Sequence, residues 1–251
     1  MALGYDDGLY ILAFDHRGSF QKKMFGIAGE PTEAETAKII AAKRVVFEGF
    51  RLAIEQGAPR GEAGILVDEQ FGTEVARQAE KEGLLLAMPV EKSGQDDFDF
   101  QYGSAFGKHI EDFNPAFSKV LVRYNPDGDR DMNHRQTARL KELSDWLHAN
   151  DRKFLFELLV PGEAAQLESV GGDADRFDKE LRPGLMLRAI TELQDAGIEP
   201  DIWKIEGLDR REDCELISKQ CRAGGRDGVV CVVLGRGASD EAVDHWLRQG
   251  S

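Results

Sequence analysis

The chain has 251 residues, 41% of them hydrophobic and 31% charged, with 32 basic against 46 acidic side chains and a formal net charge of −14. That length is enough for one large core and is near that of a single α/β barrel, and glycine and proline show none of the excess that marks fibrous or disordered chains. The acidity is first of all a solubility feature; it opposes binding to nucleic acid or to an anionic membrane, so an anionic substrate would need a local cluster of cations.

Apolar strand-like runs alternate with amphipathic helical segments. Strands are expected at Leu9–Asp15, Gly64–Glu69, Leu84–Val90, Lys119–Asn125, Lys153–Val160, Ile202–Gly207 and Val229–Gly235. Helices are expected at Glu33–Gln56, Thr73–Glu82, His134–Ala149, Lys179–Ala196, Arg210–Cys221 and Ser239–Arg248. The stretch Gly94–Pro115 is less periodic and has room for a short helix only. Repeated βα units imply a parallel sheet, either open and doubly wound or closed into a (β/α) barrel. No Gly-x-Gly-x-x-Gly follows the first strand, so the dinucleotide-binding version of the open sheet lacks its marker.

The N-terminus, MALGYDDGLY, has no basic flank ahead of an apolar core, and no apolar run approaches a membrane span. Three cysteines, Cys214, Cys221 and Cys231, lack metal-type spacing, and their odd number argues against a disulfide framework. These features together predict a cytoplasmic protein without membrane or nucleic-acid partners.

The strand interiors favour the barrel. Side chains alternate faces along a strand, so Phe154, Phe156, Leu158 and Val160 share one face while Glu157 lies on the other. Lys119, Leu121 and Arg123 share a face, as do Ile202, Lys204 and Glu206, and as do Ile11, Ala13 and Asp15. Four strands thus carry charge on one face and apolar residues on the other. Parallel sheets are normally covered on both sides, and charges there are costly unless paired. In a barrel those faces line one lumen. A salt-bridge lattice that only fills the lumen is the bland reading; chemistry at the carboxyl ends of the strands is the reading that Lys119, Arg123, Glu157, Lys204 and Glu206 favour.

A lysine in an apolar strand can be neutral enough to attack a ketone and form an imine, whose iminium is an electron sink for breaking a C–C bond. A carboxylate such as Glu157 can move the protons. This set suits Schiff-base aldol chemistry, which needs no cofactor and no metal. The rival, a metal-dependent lyase or hydrolase, would draw on Asp15, Asp68, Glu69 and Glu91. It is poorly served by the five histidines, of which only His16 falls at a strand end. After the seventh strand, Gly235, Arg236 and Gly237 offer N–H groups and a guanidinium where barrels often hold phosphate.

Four motifs, in order, carry a family resemblance: Phe14-Asp15-His16-Arg17-Gly18, Val90-Glu91-Lys92-Ser93-Gly94, Phe156-Glu157-Leu158-Leu159 and Asp201-Ile202-Trp203-Lys204-Ile205-Glu206. Over most of its length the chain resembles the class I tagatose-1,6-bisphosphate aldolase family. It is most similar to the aldolase-like domain fused to the carbohydrate kinase of myo-inositol catabolism. The resemblance implies a (β/α)8 TIM barrel with Lys204 as Schiff-base lysine and Glu157 as acid/base. It also implies that Asp15 and Lys119 line the substrate site, and that Arg17 and Arg123 contact substrate hydroxyls or phosphate. The implied substrate is a phosphorylated keto sugar or keto sugar acid, cleaved to dihydroxyacetone phosphate and an aldehyde. For an inositol-pathway member this is 2-deoxy-5-keto-gluconate 6-phosphate, giving malonate semialdehyde. The related enzymes carry Gln where His16 stands. Their pattern also continues with an eighth strand and a Gly-Arg loop, so the expectation is a single barrel domain over residues 1–251 whose natural gene product runs on past Ser251. A regulatory module that binds a sugar phosphate without turnover is the alternative from another class. A homo-oligomer through exposed barrel helices is compatible with the pattern.

Overall fold

The computed structural model describes residues 2–235 and 237–251. They form two compact units: one of Asp7–Gln95 and Phe100–Lys119, the other of the residues up to Asp6, Asp96–Asp99 and Val120–Ser251. The first unit holds β1 (Tyr10–Ala13), α1 (Gly18–Phe25), α2 (Glu33–Glu55), β2 (Ala63–Leu66), α3 (Glu69–Lys81), β3 (Leu85–Pro89), a 3₁₀ turn (Gly103–Ala105) and α4 (Phe106–Phe113). Strand β4 (Phe117–Arg123) begins in it and ends in the second unit. The second unit continues with α5 (Arg130–Ala149), β5 (Lys153–Leu159), α6 (Ala164–Ser169) and α7 (Ala174–Arg176). A π-helical turn (Phe177–Leu181), α8 (Arg182–Asp195), β6 (Ile202–Glu206), α9 (Arg211–Arg222), β7 (Val230–Leu234) and α10 (Asp240–Gly250) complete it.

All seven expected strands are present, and their order follows the chain from β1 to β7. The pairings described are parallel. A doubly wound sheet reverses its strand order at a switch point; this one never reverses, which is the winding of a (β/α) barrel. Register follows from burial. Glu157 pairs with Lys204 and Trp203 with Cys231. On the other face Trp203 packs on Phe156 with ring centroids 4.9 Å apart, both fully buried. The first unit packs Phe47 and Phe50 of α2 and Val75 and Ala79 of α3 against Ile65 of β2 and Leu86 of β3. Each of these side chains larger than alanine contributes about 1.5–3 kcal/mol on burial.

Several helix starts differ from expectation for local reasons. Helix α3 begins at Glu69, four residues before the expected Thr73, because Asp68 caps it by accepting the Phe71 N–H. A Cβ at Gly72 would lie 2.2 Å from Val67 Cγ2, so glycine is what lets this first turn close on the strand end. Asp129 likewise caps α5 four residues ahead of His134, and a Thr32–Glu35 capping box starts α2 at its expected residue. The short α1 was not expected: it spans eight residues, has no side-chain cap, and ends on Gly26 in the left-handed region. The weakly periodic Gly94–Pro115 segment holds α4.

One buried cation organises the first unit. Lys43 of α2 is fully buried and donates to Phe14 O at 2.6 Å, to His16 O at 3.2 Å and to the Asp68 carboxylate. It thereby ties the end of β1 to the cap of α3. Burial pushes the Lys43 amine down and the Asp68 carboxyl up, each against the pull of the other. Removing one partner of a buried pair strands the other, so Lys43→Met is expected to lose about 3–5 kcal/mol of stability. Asp68→Asn keeps the acceptor for Phe71 and removes the stranded charge, so the double variant should be more stable than Lys43→Met alone. Urea midpoints check this; equal midpoints for the two would show that the carboxylate charge is not the source of the loss.

Candidate active site

The charged residues expected on the inner strand faces form two separate clusters, one in each unit. In the first unit Lys119 of β4 is buried and donates to Asp15 Oδ2 at 2.9 Å and to Glu91 Oε1 at 3.0 Å. Asp15 follows β1 and Glu91 follows β3, so the cluster joins the carboxyl ends of those strands to β4. Arg17 donates to Glu91 O at 2.9 Å, to Glu91 Oε1 at 3.3 Å and to Gln101 Oε1 at 3.2 Å. Glu91 Oε2 is buried and has no hydrogen-bond partner among the described residues. Burial pushes the Glu91 carboxyl above its usual value, opposed by the Lys119 ammonium and the Arg17 guanidinium.

In the second unit Lys204 Nζ donates to Glu157 Oε2 at 3.0 Å. The two residues are direct register partners on β6 and β5, so the parallel ladder itself sets their approach. The Lys204 side chain keeps 14% exposure, against 7% for Glu157. Glu206, two residues on, has a different fate. Its carboxylate accepts from the Val160 N–H at 2.9 Å and pairs with Arg182 of α8 at 2.9 Å. That pair is almost fully buried and ties β6 to β5 and to α8.

Arg123, at the end of β4, is partly exposed and lies 3.8 Å from Asp96. Gly235 and Gly237 sit between β7 and α10, with Gly237 in the left-handed region and Ser239 capping α10 by accepting the Ala242 N–H. Arg236, expected beside them, lies outside the described residues. The structure therefore brings Asp15 to Lys119, and Glu157 to Lys204, and places Arg17 on Glu91.

The four carboxylates weighed as metal ligands each already face a cation or an imidazole. Asp15 and Glu91 meet Lys119, Asp68 meets Lys43, and Glu69 meets the His109 ring at 2.9 Å. His109, on α4, also stacks on Tyr102 at 3.6 Å between centroids. Burial, and after it the Glu69 carboxylate, push the Tyr102 hydroxyl up to about 12. From sequence Glu91 was weighed only as a metal ligand and as part of a family motif; its place as the second acceptor of Lys119, with Gln101 behind Arg17, was not recognised. The signal was present: like Asp15, Glu91 is an acid placed directly after an apolar strand.

The family described as "Uncharacterized protein conserved in bacteria (DUF2090)" matches residues 4–250. A tagatose 1,6-diphosphate aldolase 2 of Streptococcus pyogenes serotype M1 is 28% identical over 169 residues, covering 64% of this chain and 47% of that protein. The chain thus spans about half the length of the curated relatives it matches. Among solved structures, an archaeal fructose 1,6-bisphosphate aldolase superposes with a TM-score of 0.60 at 14% identity, over 97% of this chain and 83% of its own. A Schiff-base-forming fructose-1,6-bisphosphate aldolase superposes with a TM-score of 0.58 at 13% identity, over 96% and 80%. These two likenesses give the fold class, a TIM-type (β/α) barrel fold with seven of its strands among the described residues.

The buried Glu91 has a consequence for stability. In the unfolded chain it ionises near its ordinary value of 4.5, while in the folded protein it keeps its proton to higher pH. From about pH 4.5 upward the folded state therefore binds more protons than the unfolded one, and stability falls with rising pH until Glu91 itself ionises. Glu91→Gln lacks this titration. Its stability relative to the wild type should climb through that window and then level off. Denaturation midpoints of both proteins from acid to neutral pH test this; a constant difference would mean that Glu91 titrates alike folded and unfolded.

Proposed function

This chain belongs to the DUF2090 family, and we propose that it is a Schiff-base aldolase of the class I tagatose-bisphosphate aldolase type acting on a phosphorylated keto sugar. The observation that carries the proposal is the 3.0 Å contact between Lys204 Nζ and Glu157 Oε2 on paired positions of neighbouring strands. A carboxylate at that distance can accept and return the protons that imine formation requires. Of the two carboxylates near the ends of β5 and β6, Glu206 is committed to Arg182 and to a backbone N–H, which leaves the proton work to Glu157.

In the proposed path the Lys204 amine attacks the ketone, water leaves, and an iminium forms. A base removes the proton of the hydroxyl β to the iminium carbon, the C–C bond breaks, and its electrons pass into the iminium as an enamine. The aldehyde leaves, Glu157 assists protonation of the enamine carbon, and water releases the second product from Lys204. Asp15 and Lys119 are assigned to substrate hydroxyls and Arg17 and Arg123 to further polar contacts. The N–H groups near Gly235 and Gly237 are assigned to the phosphate. The finer assignment, 2-deoxy-5-keto-gluconate 6-phosphate cleaved to dihydroxyacetone phosphate and malonate semialdehyde, rests on the sequence resemblance.

Borohydride with dihydroxyacetone phosphate should leave a covalent adduct that peptide mass spectrometry places on Lys204, and Lys204→Ala should remove it. An adduct at full yield in that variant would sink the assignment. Glu157→Gln should slow turnover by about 10²–10⁴-fold with the fold unchanged. Unimpaired turnover would take the acid/base role away from Glu157.

A further inference from the structure

Two of the three cysteines are held sulfur to sulfur by elements that fix both backbones. Cys221 lies near the end of α9 and Cys231 on β7, and their Sγ atoms are 3.4 Å apart. Both are free thiols; Cys221 is fully buried and Cys231 half-buried. The Cys221 carbonyl accepts from Gln194 of α8 at 3.1 Å, and the next side chain, Arg222, donates to the Val229 carbonyl at 3.1 Å, just ahead of β7. The end of α9 is thus fastened to α8 through the Cys221 carbonyl and to the start of β7 through Arg222, beside the thiol pair. Cys231 is also held in register by its pairing with Trp203.

We propose that Cys221 and Cys231 form a reversible disulfide on exposure to a peroxide, clamping α9 to β7. A disulfide needs the sulfurs about 1.4 Å closer, at about 2.05 Å, which side-chain rotation about Cα–Cβ can supply. Contact with Cys221 holds the Cys231 thiol below its usual value, while the same contact and burial push Cys221 up. Cys231, the more accessible of the two, is therefore the attacking thiolate. Its sulfur takes one peroxide oxygen: the S–O bond forms, the O–O bond breaks, and the departing oxygen leaves as water once it has taken a proton. Cys221 then attacks the Cys231 sulfenic sulfur. The S–S bond forms, the S–O bond breaks, and hydroxide leaves as water with the Cys221 proton. Two thiols lose two electrons and the peroxide gains them.

Trypsin puts the three cysteines on different peptides: Cys214 within 212–219, Cys221 within 220–222 and Cys231 within 227–236. The reduced full chain, treated with hydrogen peroxide and digested without reductant, should yield peptide 220–222 joined to 227–236. Cys214 should remain alkylatable, and dithiothreitol should reverse the link. In Cys221→Ala the resolving sulfur is absent, so Cys231 should stop at a sulfenic acid that dimedone captures. The oxidised wild type should melt about 5 °C higher than the reduced form. Three alkylatable thiols after peroxide, a link through Cys214, or a melting midpoint that does not rise would each overturn the proposal.

Discussion

Charge placed inside parallel strands that are covered on both faces has to be paired where it stands, because no water reaches it to share the load. Leaving an ion unpaired there costs several kcal/mol. This constraint decides which side chains meet in both units. Lys43 can occupy the interior of the first unit because the carbonyls of Phe14 and His16 and the carboxylate of Asp68 all converge on its ammonium. Those contacts fix where β1 ends and where α3 starts, and the end of β1 is what carries Asp15 to Lys119. In the second unit the Arg182–Glu206 pair does the same for the end of β6, next to the strand position that carries Lys204.

The same pairing rule separates groups that hold the fold from groups that can do chemistry. Lys43 has no exposed surface at all, and the Arg182–Glu206 pair has almost none; each is spent on joining a strand end to a helix. Lys204 is paired just as closely, yet its side chain keeps an exposed fraction. A nucleophile has to be desolvated enough to be reactive and open enough to be reached. Lys153 of β5 keeps a similar exposed fraction but is tied to Asp201 and to the Gly4 carbonyl, so the lysine opposite Glu157 is the one our proposal assigns to attack.

Much of this was legible in the sequence. The strands were readable because β5 and β6 bury both faces, which leaves continuous apolar runs in which a single charge stands out, and alternation then assigned that charge to a face. Glu157 and Lys204 were found that way, and the register confirms that they are neighbours. Other features depend on contacts that no local pattern encodes. The true start of α3 turns on Gly72 having no Cβ against Val67, a contact made only once the strand is in place. The tie between Glu206 and Arg182 joins a strand to a helix that precedes it in the chain, so the acid reads as one more inner-face charge until that helix is placed. The thiol pair of Cys221 and Cys231 is likewise invisible to spacing, since it is made by the turn that brings α9 back to β7.

Carboxylate partners differ between Lys119, in the first unit, and Lys204, in the second. Lys119 donates to both Asp15 and Glu91, and Arg17 stands on the far side of Glu91. Two acids around one ammonium hold it in place from both sides. Among the described residues Lys204 meets one carboxylate, that of Glu157, with Nζ 3.0 Å from its Oε2. The Lys119 side chain is enclosed at 2% exposure, whereas that of Lys204 keeps 14%. That contrast in partners and exposure is what supports our proposal of Lys204, rather than Lys119, as the attacking amine.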